Sequence, residues 1–173
     1  MVSLLRTLLR SAFGRRPKLV CSAQLWHQGV DELRRRTHGR HESGAFLLGV
    51  NHSGVRAIQQ FLFYDDVDPN CFRNGIVEFD GRRFGHIWEL CRKLHMNVVA
   101  DIHVHPGGYD QSSSDRHNPM IAETGHLALI VPHFAARARM PGKIGIYEYL
   151  GSRQWQNRSK AGSQIFHVGW WPK

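Results

Sequence analysis

Cysteine is scarce in this chain: Cys21, Cys71 and Cys91 are the whole complement. Three is an odd number, at wide and unrelated spacings, which excludes a disulfide framework and a CxxC metal pair and points to a reducing, cytoplasmic compartment. Long apolar runs are missing too. Nothing approaches the ~20 residues that cross a bilayer, so no transmembrane segment is expected. There is no internal repeat, and only Ser112 to Ser114 approaches low complexity. Acids are outnumbered, 14 Asp and Glu against 23 Lys and Arg, for a net charge of +9. Such an excess favours acidic partners. Its placement matters more: Arg6, Arg10, Arg15, Arg16 and Lys18 stand among the first 20 residues without an acid, and the rest of the chain is only +4. The body lacks a basic cluster interleaved with aromatic platforms, which argues against nucleic-acid binding.

What is present fits one folded domain, with 42% apolar and 21% charged residues in 173. The opening "MVSLLRTLLRSAFGRR" has arginines through its apolar stretch and no clear small-residue cleavage site, so it reads as a short amphipathic or frayed basic extension over 1–16 rather than a signal peptide. The domain follows over 17–173. "KLVCS" reads as a strand. "AQLWHQGVDELRRRT" is a helix with Ala23, Trp26, Val30 and Leu33 on one face. Residues 45–64 read as a hairpin, "DDVDPNCFRNG" as loop, "IVEFD" as a strand, and Gly81 to His95 as a second helix burying Phe84, Ile87, Trp88, Cys91 and Leu94. Strands follow at "NVVADIHV", "HLALIVP", "KIGIYEYL" and "QIFHVGWW", with "GSRQWQNRSKAGS" a polar connection. The expected fold class is α+β: a mixed sheet with flanking helices in layers.

Chemistry concentrates in "DIHVHPGGYDQSSSD". A strand alternates its side chains with a period of two, so His103 and His105 leave one face together at the strand's end. The polar loop after them brings back Asp115. Two imidazoles and a carboxylate leave a fourth tetrahedral position open, as in a catalytic zinc site. Amide cleavage also needs a general base, and Glu42, just before the apolar run "AFLLGV", is the candidate; Ser112 could donate its hydroxyl to a developing oxyanion. Ser113 and Ser114 read as loop residues. His117 reads as a loop residue close enough to be an outer partner, and Tyr109 and Asp110 as residues that touch substrate.

The segments "ESGAFLLG" and "HVHPGGYDQSSSD" together resemble the signature of the JAMM/MPN metalloprotease family: a glutamate, then H-x-H-P and S-x-x-D. The resemblance covers about residues 17–150, and "SDRHNPMIAETGHLALIVPHFA" is further similar to the bacterial JAB-domain branch found with ubiquitin-like conjugation systems, including those of antiphage defence. It implies a layered, cytidine-deaminase-like domain with one Zn2+ held by His103, His105 and Asp115. It also implies Glu42 as general acid/base acting on the zinc's water, and Ser112 assisting the oxyanion. The implied function is that of a deubiquitinase-like isopeptidase or peptidase cutting after the C-terminus of a ubiquitin-like protein, in a system holding E1- and E2-like partners. The chain departs from the family in one place: residues 106–114 put nine residues between the second histidine and the aspartate, one fewer than usual.

Three rivals remain at this stage. A metal-dependent amidohydrolase barrel also uses D-x-H-x-H, but only 68 residues follow His105, too few to complete a barrel. A non-catalytic MPN scaffold would lack the ligands that this chain retains. A nucleic-acid-binding domain would show steeply salt-dependent affinity.

Overall fold

The computed structural model describes residues 16–72, 77, 79–137 and 139–171. The basic extension expected over 1–16 lies outside them except for Arg16. The body is one eight-stranded mixed sheet: β1 (Leu19–Cys21), β2 (Gly44–His52), β3 (Val55–Phe63), β4 (Asn97–Val104), β5 (Leu127–Val131), β6 (Gly145–Gly151), β7 (Gln154–Asn157) and β8 (Phe166–Val168). Their spatial order is β7-β6-β5-β4-β2-β3-β1-β8. The helices are few and mostly short: α1 (Ala23–Arg36), α2 (Tyr64–Val67), α3 (Phe84–Leu94) and α4 (Ser113–His117).

The expected layered α+β domain of the MPN type is corrected by this architecture. The fold is predominantly β, and its sheet curls into a half-barrel. Lys18, beside β1, pairs with Glu148 of β6, although four strands lie between β6 and β1 in the sheet. Arg158 holds the other oxygen of the same carboxylate at 2.9 Å. Trp26, Val30 and Leu33 of α1 share the main apolar core with strand residues from β1 to β6 and with Phe166 of β8. Gly29 lets α1 come close, because a Cβ there would meet the Phe61 ring at 2.4 Å. Helix α3 packs Ile87 and Cys91 into a second cluster with Phe46, Leu48, Tyr64 and Cys71.

The Glu148 junction yields a test. Burial pushes its carboxyl up, but the hydrogen bonds from Lys18 and Arg158 prevail and hold it below the usual value of 4.5. A depressed folded pKa means that the stabilisation is complete above 4.5 and drains as pH falls through the folded value. Glu148→Gln is therefore expected to melt lower than the parent at pH 7, with the gap shrinking toward pH 3; thermal melts across that range measure it.

Other expectations meet the structure as follows. The 45–64 hairpin forms as β2 and β3. In "IVEFD", Val77, Phe79 and Asp80 are irregular rather than strand, while Ile76 and Glu78 lie outside the described residues. Ala23 is exposed, and so are Trp88 and Leu94 of the second helix's supposed core stripe. The polar connection contains β7, folded back on β6 through Ser152 and Arg153, both with positive φ, the two-residue turn that suits the twist of paired strands. The three cysteines are free and buried. Among the described residues no helix is long and apolar enough to cross a membrane.

Candidate metal centre

β4 lies in the middle of the sheet, antiparallel to β2 and parallel to β5. Its even-numbered residues Ala100, Ile102 and Val104 belong to the main core, and the alternate positions send Asp101 and His103 to the other face. His105 follows the strand's last residue. Its N–H donates to the Val131 carbonyl at 3.0 Å and its carbonyl accepts from Phe134 N–H at 2.8 Å, so the backbone is pinned on both sides. The turn that receives it is unusual: His133, Phe134 and Ala135 all have φ between 49° and 57°.

Asp115 arrives on α4. Ser112 is the N-cap, its hydroxyl accepting from Asp115 N–H at 3.1 Å, while Ser112 N–H donates to Asp115 Oδ2 at 2.6 Å. This reciprocal capping box fixes the carboxylate's orientation. Ser112 is thus a positioning residue for Asp115 through its lone pairs, and its hydroxyl proton stays free to donate. Ser112→Ala is expected to cost about 1 kcal/mol of local stability and, because the lost cap frees Asp115, to weaken divalent-metal affinity several-fold, with Ser112→Thr restoring it; chelator competition measures both.

The three side chains converge. His103 Nε2 and His105 Nε2 are 2.9 Å apart, and Asp115 lies 3.4 Å from each through Oδ1 and Oδ2 respectively. Donors bonded to one tetrahedral ion at 2.0–2.1 Å stand about 3.3 Å from one another. The separations found, 2.9 Å between the imidazoles and 3.4 Å from each of them to a different oxygen of Asp115, are near that spacing, and this is the one such group among the described residues, with one donor atom from each residue all within 4.8 Å. Burial pulls the His103 pKa down, but the adjoining Asp115 carboxylate outweighs it and the net shift is upward. Burial pushes Asp115 up, and hydrogen bonds from both imidazoles hold it far below the carboxylate range.

Glu42 sits in the segment between α1 and β2. Its Oε1 is 3.8 Å from His105 Nε2, beside the triad but not one of its three converging donors, and its Oε2 accepts from Val77 N–H at 3.3 Å. That peptide group fixes one oxygen and leaves the other facing the triad. His117 turns away: its Nδ1 lies 2.7 Å from the Ser113 carbonyl on the same helix. Ser113 and Ser114 are exposed within α4, and Tyr109 and Asp110 are on the preceding loop, where the Tyr109 carbonyl accepts from Tyr147 Oη at 3.1 Å.

Sequence reasoning missed three participants. Val77 was read as strand. Asp101, buried and bonded to His126 Nε2 at 2.7 Å, was legible as an acid inside an apolar strand, two positions before His103. Tyr64 gives no sequence signal beyond its type. Its ring lies over Gly44, the β2 partner of His103, where a Cβ would come within 2.3 Å of it.

No family model matches the chain. The fold is similar to the solution structure of a structural-genomics protein from Desulfitobacterium hafniense, with a TM-score of 0.63, 12% identity, and coverage of 87% of this chain and 92% of that one.

Proposed function

We propose that the chain is a zinc-dependent isopeptidase or peptidase that cleaves after the C-terminus of a ubiquitin-like modifier. The observation that carries this reading is the convergence of His103, His105 and Asp115 within 4.8 Å of one another, with the Glu42 carboxylate 3.8 Å from His105 Nε2 and not a member of the group. Two imidazoles and one carboxylate suit zinc, and three protein ligands leave a coordination position for water or substrate. Zinc, when bound, supplies Lewis acidity to a carbonyl and acidifies water at neutral pH.

The chain's own groups supply the rest. Glu42 Oε1 takes a proton from the attacking water as its oxygen bonds to the carbonyl carbon, and gives that proton to the amine as the C–N bond breaks. Val77 N–H keeps Glu42 oriented for both transfers. Ser112 O–H is free to donate to the carbonyl oxygen as negative charge builds there. The JAMM-like order of these residues in the sequence supports a ubiquitin-like tail as substrate, in a reducing, cytoplasmic setting. Incubating the zinc-loaded chain with a ubiquitin-like protein carrying a C-terminal extension, and following release of the extension by mass spectrometry, tests it. Cleavage at the modifier's terminus is expected; a zinc-loaded protein that cuts no such fusion and no isopeptide conjugate points instead to a binding module.

A further inference from the structure

Three buried polar residues stand beside the triad without belonging to it: Asp101, His126 and Tyr64. Asp101 and His103 rise from the same face of β4, about 7 Å apart along the strand, so the Asp101 carboxylate is a neighbour of the donor set and not a member of it. His126, just before β5, donates from Nε2 to Asp101 Oδ1 at 2.7 Å. Its own backbone is pinned twice, the N–H donating to the Glu123 carbonyl at 3.0 Å and the carbonyl accepting from Tyr149 N–H at 2.9 Å. Tyr64 opens α2, at the end of β3. Its ring packs on Phe46, the β2 partner of Asp101, and over Gly44, the β2 partner of His103. Its hydroxyl makes no hydrogen bond of ordinary geometry, alone among the buried side-chain polar atoms of the described residues. Against it lies the Asp101 carboxylate, which joins burial in holding the phenol neutral, its pKa well above the ordinary value. A neutral phenol has a proton to donate, and a carboxylate can only accept.

Asp101 and His126 are 2% and 3% exposed. Well-packed apolar residues of similar volume often hold strands together as well as a buried polar pair or better, so architecture alone gives no reason for a carboxylate at this place. We infer that Asp101 is a positioning residue of the metal centre. His126 and Tyr64 fix its carboxylate from two sides, and Asp101 in turn steadies the part of β4 that presents the His103 imidazole. Its fixed negative charge also favours a cation at the three donors, more strongly in this enclosed place than it would in water. The charge already registers at His103: against the burial that pulls the pKa of that imidazole down, Asp101 acts together with Asp115 to raise it.

This role rests on the zinc reading of the triad, and its test needs no substrate. Metal-free full-length protein is titrated with Zn2+ against a chromophoric chelator, and the Co2+-loaded protein is followed by visible absorption, which reports ligand geometry. Asp101→Asn keeps the side chain's shape and removes its charge. It is expected to bind zinc about 10–100-fold more weakly, the usual effect of losing an outer partner, with its circular dichroism unchanged and its cobalt bands displaced. Tyr64→Phe should weaken zinc binding several-fold. His126→Gln, whose amide N–H can replace Nε2–H, should stay close to the parent, while His126→Leu should fall with Asp101→Asn. A folded Asp101→Asn protein with parental zinc affinity and cobalt bands overturns the inference and leaves the centre standing. Should Asp101→Asn not fold, Tyr64→Phe decides: parental affinity and bands mark an idle hydroxyl and overturn it. A parent that binds neither metal removes the centre and the inference with it.

Discussion

His103→Ala is expected to emerge from purification with less than about a tenth of the zinc carried by the parent chain, which should hold one ion per molecule. Losing an outer partner of a metal ligand already costs roughly 10–100-fold in affinity, and this substitution removes a direct donor. The remaining pair, His105 and Asp115, contact each other at 3.4 Å but offer only two of the three donors. His103 is buried on a central strand, so its truncation also removes packing from the sheet. Circular dichroism of the variant must accordingly match the parent's before the metal content is interpreted. His105→Ala and Asp115→Ala should give the same loss by elemental analysis, through side chains that lie outside β4. A folded His103→Ala protein that retains stoichiometric zinc would place the ion elsewhere, and a folded parent that takes up no zinc would remove the metal reading altogether.

Glu42→Gln separates metal holding from chemistry. Glutamine keeps a side-chain oxygen for Val77 N–H and nearly the same shape, so folding and zinc content should be unchanged. What it cannot do is accept and return a proton. Positioned general acid–base groups contribute ~10^2–10^4-fold, and kcat for the modifier fusion should fall by that order while KM moves little. The geometry makes the expectation specific: the carboxylate is a neighbour of His105 at 3.8 Å but not one of the three converging donors, so its replacement leaves all three in place. Undiminished turnover in Glu42→Gln would take Glu42 out of the mechanism.

The centre was largely legible in the sequence because its rules are local. Alternation on a strand puts His103 and His105 on one face, and the polar loop from Pro106 to Gln111 is short enough to return Asp115. The S-x-x-D spacing was read for chemistry; the same spacing is a capping box, a second reason for those residue types that periodicity alone does not separate from the first. The curl was not legible. It depends on β1 running parallel to both β3 and β8 and on Lys18 meeting Glu148 across 130 residues, and such pairings leave no trace in a local window. β7 escaped notice because three of its four residues are polar, and its strand state is imposed by β6 across a tight turn. Helix α3 was overfilled for a related reason: an apolar stripe marks a face, but only the partner surface decides which members, here Ile87 and Cys91, end up enclosed.

The left-handed run at His133, Phe134 and Ala135 sets evolvability at this site. Each L-residue in that conformation costs about 1–2 kcal/mol relative to the right-handed one, and none of the three is the glycine that would adopt it freely. The Phe134 N–H grips the His105 carbonyl and the His133 N–H grips that of Gly107, so the tension is spent where the loop toward Asp115 begins. Screens for heat resistance should therefore recover substitutions in this turn readily, and those same clones should be the ones that lose grip on their ion. Robustness and ligand alignment draw here on the same three peptide units and pull in opposite directions.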